Sequence, residues 1–182
     1  LEDQEYVALF WAQVNGKKFY DVTDLRNVTA LYTDDAGKAI LSNNEDRAAF
    51  CQVHTFSTAA SYKNTVKLVR PLAQLNLGTT KESLKLDYPI ALEKSKMIVQ
   101  GVGTMFNVAQ MKAGATSANV VFDLASVPNQ DLEVKSTLYA YAGMNYFFVP
   151  ADESSVNVEY DIQTDAGTVN RVVTNVPVKT NF

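Results

Sequence analysis

The longest β-type run in the chain, Asn-Thr-Val-Lys-Leu-Val-Arg-Pro-Leu-Ala-Gln-Leu-Asn-Leu-Gly-Thr at positions 64–79, limits the fold more than any other stretch. Successive strand residues point to opposite faces. Val69, Pro71, Ala73, Leu75 and Leu77 therefore share one side, and Val66, Leu68 and Leu72 the other. A strand apolar on both faces belongs near the middle of a packed β-structure. Pro71 has no N–H to give to a ladder, so a bulge, a bend or an edge position is expected there. Arg70 falls on the mostly apolar even side, where an unpaired charge is costly. It is expected to end the buried part of that face, or to reach a carboxylate or backbone carbonyls.

The rest of the chain has the same texture. Residues 5–13 carry Val7, Leu9 and Trp11 on one side and Tyr6, Ala8, Phe10 and Ala12 on the other, which reads as a central or sandwiched strand. Val-Asn-Gly-Lys at 14–17 is a turn signal. Residues 21–26 could form one short helix capped by Asp21 or Thr23. Strands are expected at 28–33, 48–56, 96–102, 119–124, 132–141 and, after a turn at Gly143, at 145–149. Residues 105–113 read as a short helix or an irregular loop. The cleanest alternation lies at 155–163, with Val156, Val158, Tyr160 and Ile162 inward. A turn at Asp165-Ala-Gly167 then predicts a hairpin with 169–176.

Many short strands with turn signals between them mean a mainly β fold, a sandwich or a barrel. At 182 residues the chain can hold one large β-domain or two small ones. The polar connector at 78–83 places the expected boundary, giving an N-terminal β-domain at 1–80 and a second β-sandwich at 81–182.

Little in the sequence points to catalysis. The net charge of −4 gives no basic footprint for nucleic acid, and no apolar run is long enough to cross a bilayer. The single cysteine, Cys51, rules out an internal disulfide and reads as a buried, inert thiol. The single histidine, His54, lies three residues on, so strand parity puts the two on opposite faces. No Gly-x-Ser-x-Gly elbow presents a serine. One histidine and one cysteine cannot make a zinc site without carboxylates. The acidic turns at 34–37 and 43–46 lack the alternate spacing of a calcium loop. Gly-Val-Gly-Thr at 101–104 lacks the rest of a phosphate cradle. No catalytic, metal or cofactor residue is assigned, and an enzyme is not expected. The aromatic cluster of Tyr139, Tyr141, Tyr146, Phe147 and Phe148 reads first as β-core and second as a platform for sugar rings or a partner strand.

One resemblance covers most of the chain. Arg-Pro-Leu-Ala-Gln-Leu-Asn-Leu-Gly-Thr at 70–79 resembles a segment of the fimbrillin-like cell-surface proteins of Bacteroides and its relatives. Tyr-Val-Ala-Leu-Phe-Trp-Ala-Gln at 6–13, Met-Asn-Tyr-Phe-Phe-Val at 144–149 and Asn-Val-Pro-Val at 175–178 agree with it in the same order. The resemblance implies two tandem β-sandwich domains of transthyretin-like topology, with short helices or loops. It also implies a lipoprotein precursor, exported to the outer membrane and trimmed at its N-terminus. On this reading the chain is a trimmed piece of a longer secreted precursor.

The function implied is that of a structural subunit of a cell-surface pilus or fimbria. Its partners are neighbouring copies or related pilus subunits, and host protein or glycan where it supports adhesion. A neighbour's strand fills an open groove by β-augmentation, in which main-chain bonds supply affinity and alternate side chains supply register. Phe10, Trp11, Arg70, Pro71, Ala73 and Leu75 would then be core and strand-pairing residues, as would Leu77, Asn145, Tyr146, Asn175 and Pro177. The alternative is a monomeric surface lipoprotein that binds glycan or a host protein.

Overall fold

The computed structural model describes residues 4–58, 65–80, 95–124, 131–149, 153–164 and 167–180. These residues are mainly β, with one short 3-10 turn at Glu45–Arg47. A two-stranded ribbon pairs β1 (Glu5–Gln13) with β5 (Ala49–Ser57), antiparallel. A small sheet runs in the order β2 (Tyr20–Asp21), β3 (Val28–Ala30), β8 (Met105–Asn107), β9 (Lys112–Ala113). The largest sheet has the order β14 (Gly167–Lys179), β13 (Glu153–Thr164), β7 (Lys96–Gly103), β10 (Ser117–Asp123), β4 (Ile40–Leu41). Only β4 joins it in parallel. A three-stranded sheet has the order β11 (Asp131–Val134), β12 (Thr137–Phe147), β6 (Ala73–Thr80). Among the described residues no sheet closes into a barrel.

Two apolar cores result. Core one lies between the five-stranded and three-stranded sheets, where Met97, Val99, Val120, Phe122, Val156 and Val158 meet Ala73 and Phe147. Leu75 and Leu77 pack against it. Core two lies on the other side of β12. There Met144, Tyr146 and Phe148 meet Ala49 and Cys51 of the ribbon and Tyr20, Val28 and Phe106 of the small sheet. Residues 142–149 are all buried, because alternate residues feed alternate cores.

The stretch that is buried on both faces is thus the later part of β12, from Ala142 onward. Of the run at 64–79, the described residues 65–79 are regular only from Ala73 onward, and among the described residues β6 stands at the end of its sheet. Its odd side does face core one as parity requires, and Leu72 turns to core two. Residues 5–13 also differ from expectation: β1 has a hydrogen-bonded strand on one side only among the described residues.

Four local readings are corrected. Residues 21–26 form the end of β2 and turns, not a helix: the Asp21 carboxylate accepts from the N–H and hydroxyl of Thr23, and Asp24 accepts from the Arg26 N–H. These side chains compete with a helical ladder for the same donors. Residues 105–113 form the β8–β9 hairpin. The strand expected over 132–141 is instead a hairpin, turned by Lys135 and Ser136 with φ of 48° and 64°. Two successive positive φ values are what a two-residue hairpin loop needs, here without the usual Asn-Gly. Gly143, expected to turn, sits within β12 beside a register shift. A Cβ there would come within 2.9 Å of Leu124, so its small size serves packing.

The hairpin predicted at the C-terminal end is present as β13–β14, although its turn at 165–166 lies outside the described residues. So does the end of the connector at 78–83. Three of the four sheets take strands from both sides of residue 80, so a boundary there would cut the β6–β12, β3–β8 and β4–β10 pairings.

Candidate functional site

The β1–β5 ribbon touches the body with one face. Directly paired residues share a face. Leu9 with Val53, Trp11 with Cys51 and Gln13 with Ala49 turn toward core two. Trp11 meets Tyr20 and Phe148 edge-on, with ring centres 5.3 and 6.4 Å away. Its indole N–H donates to Gln13 Oε1 at 3.0 Å. The opposite face pairs Tyr6 with Phe56, Ala8 with His54, Phe10 with Gln52 and Ala12 with Phe50. Tyr6 and His54 both stack on Phe56, and Phe10 and Phe50 are each 37% exposed. The result is an aromatic row on an outward sheet face.

The two edges of the ribbon are unlike. On the β5 side, Cys51 and Val69 exchange backbone hydrogen bonds of 2.8 and 3.0 Å, and the Gln52 amide donates to the Lys67 carbonyl. Cys51 therefore points its N–H and C=O away from β1, and Trp11 opposite it must point its own away from β5. At the ribbon's end the Thr58 N–H donates to the Gln4 carbonyl, which fixes the same alternation. Glu5, Val7, Leu9, Trp11 and Gln13 thus aim their backbone groups along the outer edge of β1, where no described strand lies.

Arg70 joins the outward row to core two. Its guanidinium sits over the Phe50 ring at 5.3 Å and the Tyr146 ring at 4.9 Å. Two aromatic faces meet the charge. Its Nε makes no hydrogen bond among the described residues. Pro71 beside it is buried just ahead of β6, outside the ladder.

The other sequence-predicted positions are spread over several sheets. Ala73, Leu75 and Leu77 line core one, and Leu75 pairs with Asn145 across the β6–β12 ladder. The Asn145 side chain is buried, with neither amide atom hydrogen-bonded among the described residues. Tyr146 lies in core two. Asn175 has a φ of 55° beside the register shift in β14, where its N–H donates to Asn157 Oδ1. Pro177 pairs with Ser155 on the outermost strand of the large sheet. Phe10 and Trp11 fall on opposite faces of the ribbon.

Of the expected aromatic platform, Tyr146, Phe147 and Phe148 are buried in the two cores and cannot stack on a sugar. The row that is exposed, on β1 and β5, was hidden from sequence reading. Its two strands lie far apart in the chain, and only their register brings Tyr6, Phe10, Phe50, His54 and Phe56 to one face.

A cavity of about 440 Å³ opens beside β4, with Lys18, Lys38, Arg47, Asp34, Asp35 and Asp123 in its lining. Its three cations and three carboxylates give no net sign. Arg47, 2% exposed, sits among the rings of Phe19, Tyr20 and Tyr32 at 4.8, 5.9 and 5.8 Å. Its Nη2 donates to the Leu31 carbonyl at 3.0 Å. Burial lowers its pKa, and burial likewise raises the Tyr20 and Tyr32 hydroxyls well above the usual phenol range. The Tyr20 hydroxyl donates to the Arg47 carbonyl, so the cage is also tied through the backbone.

Cys51 is fully buried, 4.0 Å from the Met111 sulfur, and burial pushes its thiol up to about 12. A thiol held protonated is not a nucleophile. His54 faces the other side of the ribbon, so the two form no dyad. Among the described residues no group of three His, Cys, Asp or Glu is placed to hold a metal ion. No curated protein and no solved structure matches the chain. Residues 1–182 match DUF6562 throughout, and the chain belongs to this family of unknown function.

Proposed function

We propose that the chain is a structural subunit of a bacterial cell-surface pilus or fimbria, joined to its neighbours by donor-strand addition. The observation that carries this reading is the unequal sandwich around core one. Five strands face three, and β6 ends the smaller sheet with no described strand beyond it. On the same side of the sandwich β14 leaves Val169 and Val173 exposed, although both point to the core-one face opposite Ile162 and Val158. A strand from a neighbour, added to β6, gains main-chain bonds and apolar cover together. Donor and acceptor edges on different parts of one chain make a head-to-tail, open filament.

The fimbrillin-like resemblance supports the reading, because β6 lies within the segment at 70–79, one of the four that carry it. It adds the finer expectations of two transthyretin-like sandwiches, a lipoprotein precursor and an outer-membrane location. Here the two sandwiches would be the two cores, back to back on the sheet that contains β12.

A second reading rests on the aromatic row of the β1–β5 ribbon. Tyr6, Phe10 and Phe50 on an outward face suit a monomeric surface lipoprotein that binds glycan or a host protein.

Electron microscopy of the purified chain, compared with a chain extended at its N-terminus, separates the two. Filaments from the shorter chain alone are expected if a missing strand opens the acceptor edge. Compact monomers from both chains would sink the fibre reading, and glycan and host-protein binding screens would then test the aromatic row.

A further inference from the structure

We propose that the outer edge of β1 is a self-pairing surface. Two copies of the chain join their β1 strands antiparallel about a two-fold axis at Leu9, making a continuous β5–β1–β1–β5 sheet. The contact is closed and lateral, and it does not depend on strand addition at β6.

The first argument is protection. Exposed edge strands are normally blunted by lysine, proline, a bulge or a covering segment. β14, the other long edge, carries Arg171, Pro177 and Lys179, a register shift and the left-handed Asn175. Positions 6–13 of β1 hold no charge and no proline, and the ribbon ladder runs without a register shift. The edge of β5 is covered by residues 67–69, but no described strand covers β1. Its outward N–H and C=O groups belong to Glu5, Val7, Leu9, Trp11 and Gln13, a set that maps onto itself when the axis passes through Leu9.

The second argument is fit. With that axis, Tyr6 lies opposite the second copy's Ala12, and Ala8 opposite its Phe10. Each large side chain on the outward face meets a small one. On the other face Val7 meets Trp11 and Leu9 meets itself. Glu5, the one charge in the strand, meets the neutral Gln13, so no like charges oppose. Moving the axis by one residue sets Tyr6 against Phe10 or Phe10 against itself, and shortens the overlap. An isologous contact of this kind needs such self-complementarity. The occupant is therefore a second copy, not an unrelated partner.

Sedimentation velocity across a concentration range, with amide hydrogen exchange at both extremes, tests the proposal. A dimer is expected, with the amides of Val7, Leu9 and Trp11 slowed about tenfold or more in it. Those of Ala8 and Phe10, already bonded to β5, should not change. Val7→Pro removes one outward N–H at a side chain that is 62% exposed, and should abolish the dimer. Ala8→Lys, placing a charge against the second copy's Phe10, should do the same in a chain whose Trp11 fluorescence remains native. A monomer at every concentration overturns the proposal. So does a dimer with unaltered edge amides, or an edge already slow to exchange in the monomer. Filaments without slowed β1 amides overturn it too, while leaving strand addition at β6 standing.

Discussion

The two cores on either side of β12 are closed by different means. Core one is walled by strands in continuous ladders and filled with Val, Met, Phe and Ile. Core two is walled by a ribbon and a small sheet that reach the body through isolated backbone bridges, such as that between Cys51 and Val69, and through single side chains. Trp11 inserts from β1, the Tyr20 hydroxyl holds the Arg47 carbonyl, and the Asn43 side chain accepts from the Met144 N–H. Tyr32 bridges the two regions, donating to the Gly103 carbonyl at 2.8 Å and accepting from the Phe148 N–H at 3.2 Å. A ladder spreads its loss over many bonds when one residue changes. A wall held by a few isolated bridges and side chains does not, so substitutions in core two should act locally and unevenly.

Trp11→Ala is the strongest way to break the comparison. It removes the ring that joins the ribbon to Tyr20 and Phe148, at an expected cost of about 3 kcal/mol. Because the ribbon has no ladder to the five-stranded sheet, hydrogen exchange should quicken in β1 and β5 while β7, β10 and β13 stay protected. Val158→Ala in core one should cost about 2 kcal/mol and raise exchange throughout that sheet. Equal loss of protection in both regions after Trp11→Ala would mean that the two cores unfold as one unit.

Tyr32→Phe sharpens the same contrast from the boundary. The ring stays, but the Phe148 N–H loses its acceptor and the Gly103 carbonyl loses a donor. A Cβ on Gly103 would sit 2.9 Å from the Phe148 carbonyl oxygen, so the two backbones meet here at a glycine. A loss of about 1–2 kcal/mol is expected in urea unfolding, smaller than for Trp11 and shared by both cores. No change in midpoint would remove Tyr32 from the account of how the cores are joined.

Sequence reading did well where one local rule decides and poorly where distant strands must meet. The alternation of Val156, Val158 and Ile162 made β13 legible, because parity alone sets its inward face. The same rule separated Cys51 from His54. It went less far for residues 5–13, where apolar residues on both faces looked like a central or sandwiched strand and the described residues pair β1 on one side only. Parity says what a face could be packed against; it does not say that anything is there. The Lys135-Ser136 turn was missed because its left-handed residues are not the ones that usually mark it. The Arg70 site could not be found, since Phe50 and Tyr146 lie far from it in sequence and only the folded sheets bring all three together.

A change of pH also divides the cores. Cys51, Tyr20 and Tyr32, whose pKa values burial raises, all border core two. Each is favoured in its protonated form in the folded chain. Their contribution is complete below the unfolded-state values and declines as pH rises toward the folded ones. For Cys51 the fall begins near the ordinary thiol value of 9.0 and continues toward about 12. Within that window one such group lowers stability by about 1.4 kcal/mol per pH unit. The tyrosines add to the slope only above the ordinary phenol value of 10.0. Exchange measured from neutral pH into this range, corrected for its intrinsic rate, should therefore quicken first in the ribbon. Cys51→Val keeps an apolar side chain beside Met111 and removes the thiol, so its stability should stay flat until the tyrosines titrate. An unchanged alkaline slope in that variant would mean that the thiol is not what loosens core two, and would shift the cause to Tyr20 and Tyr32.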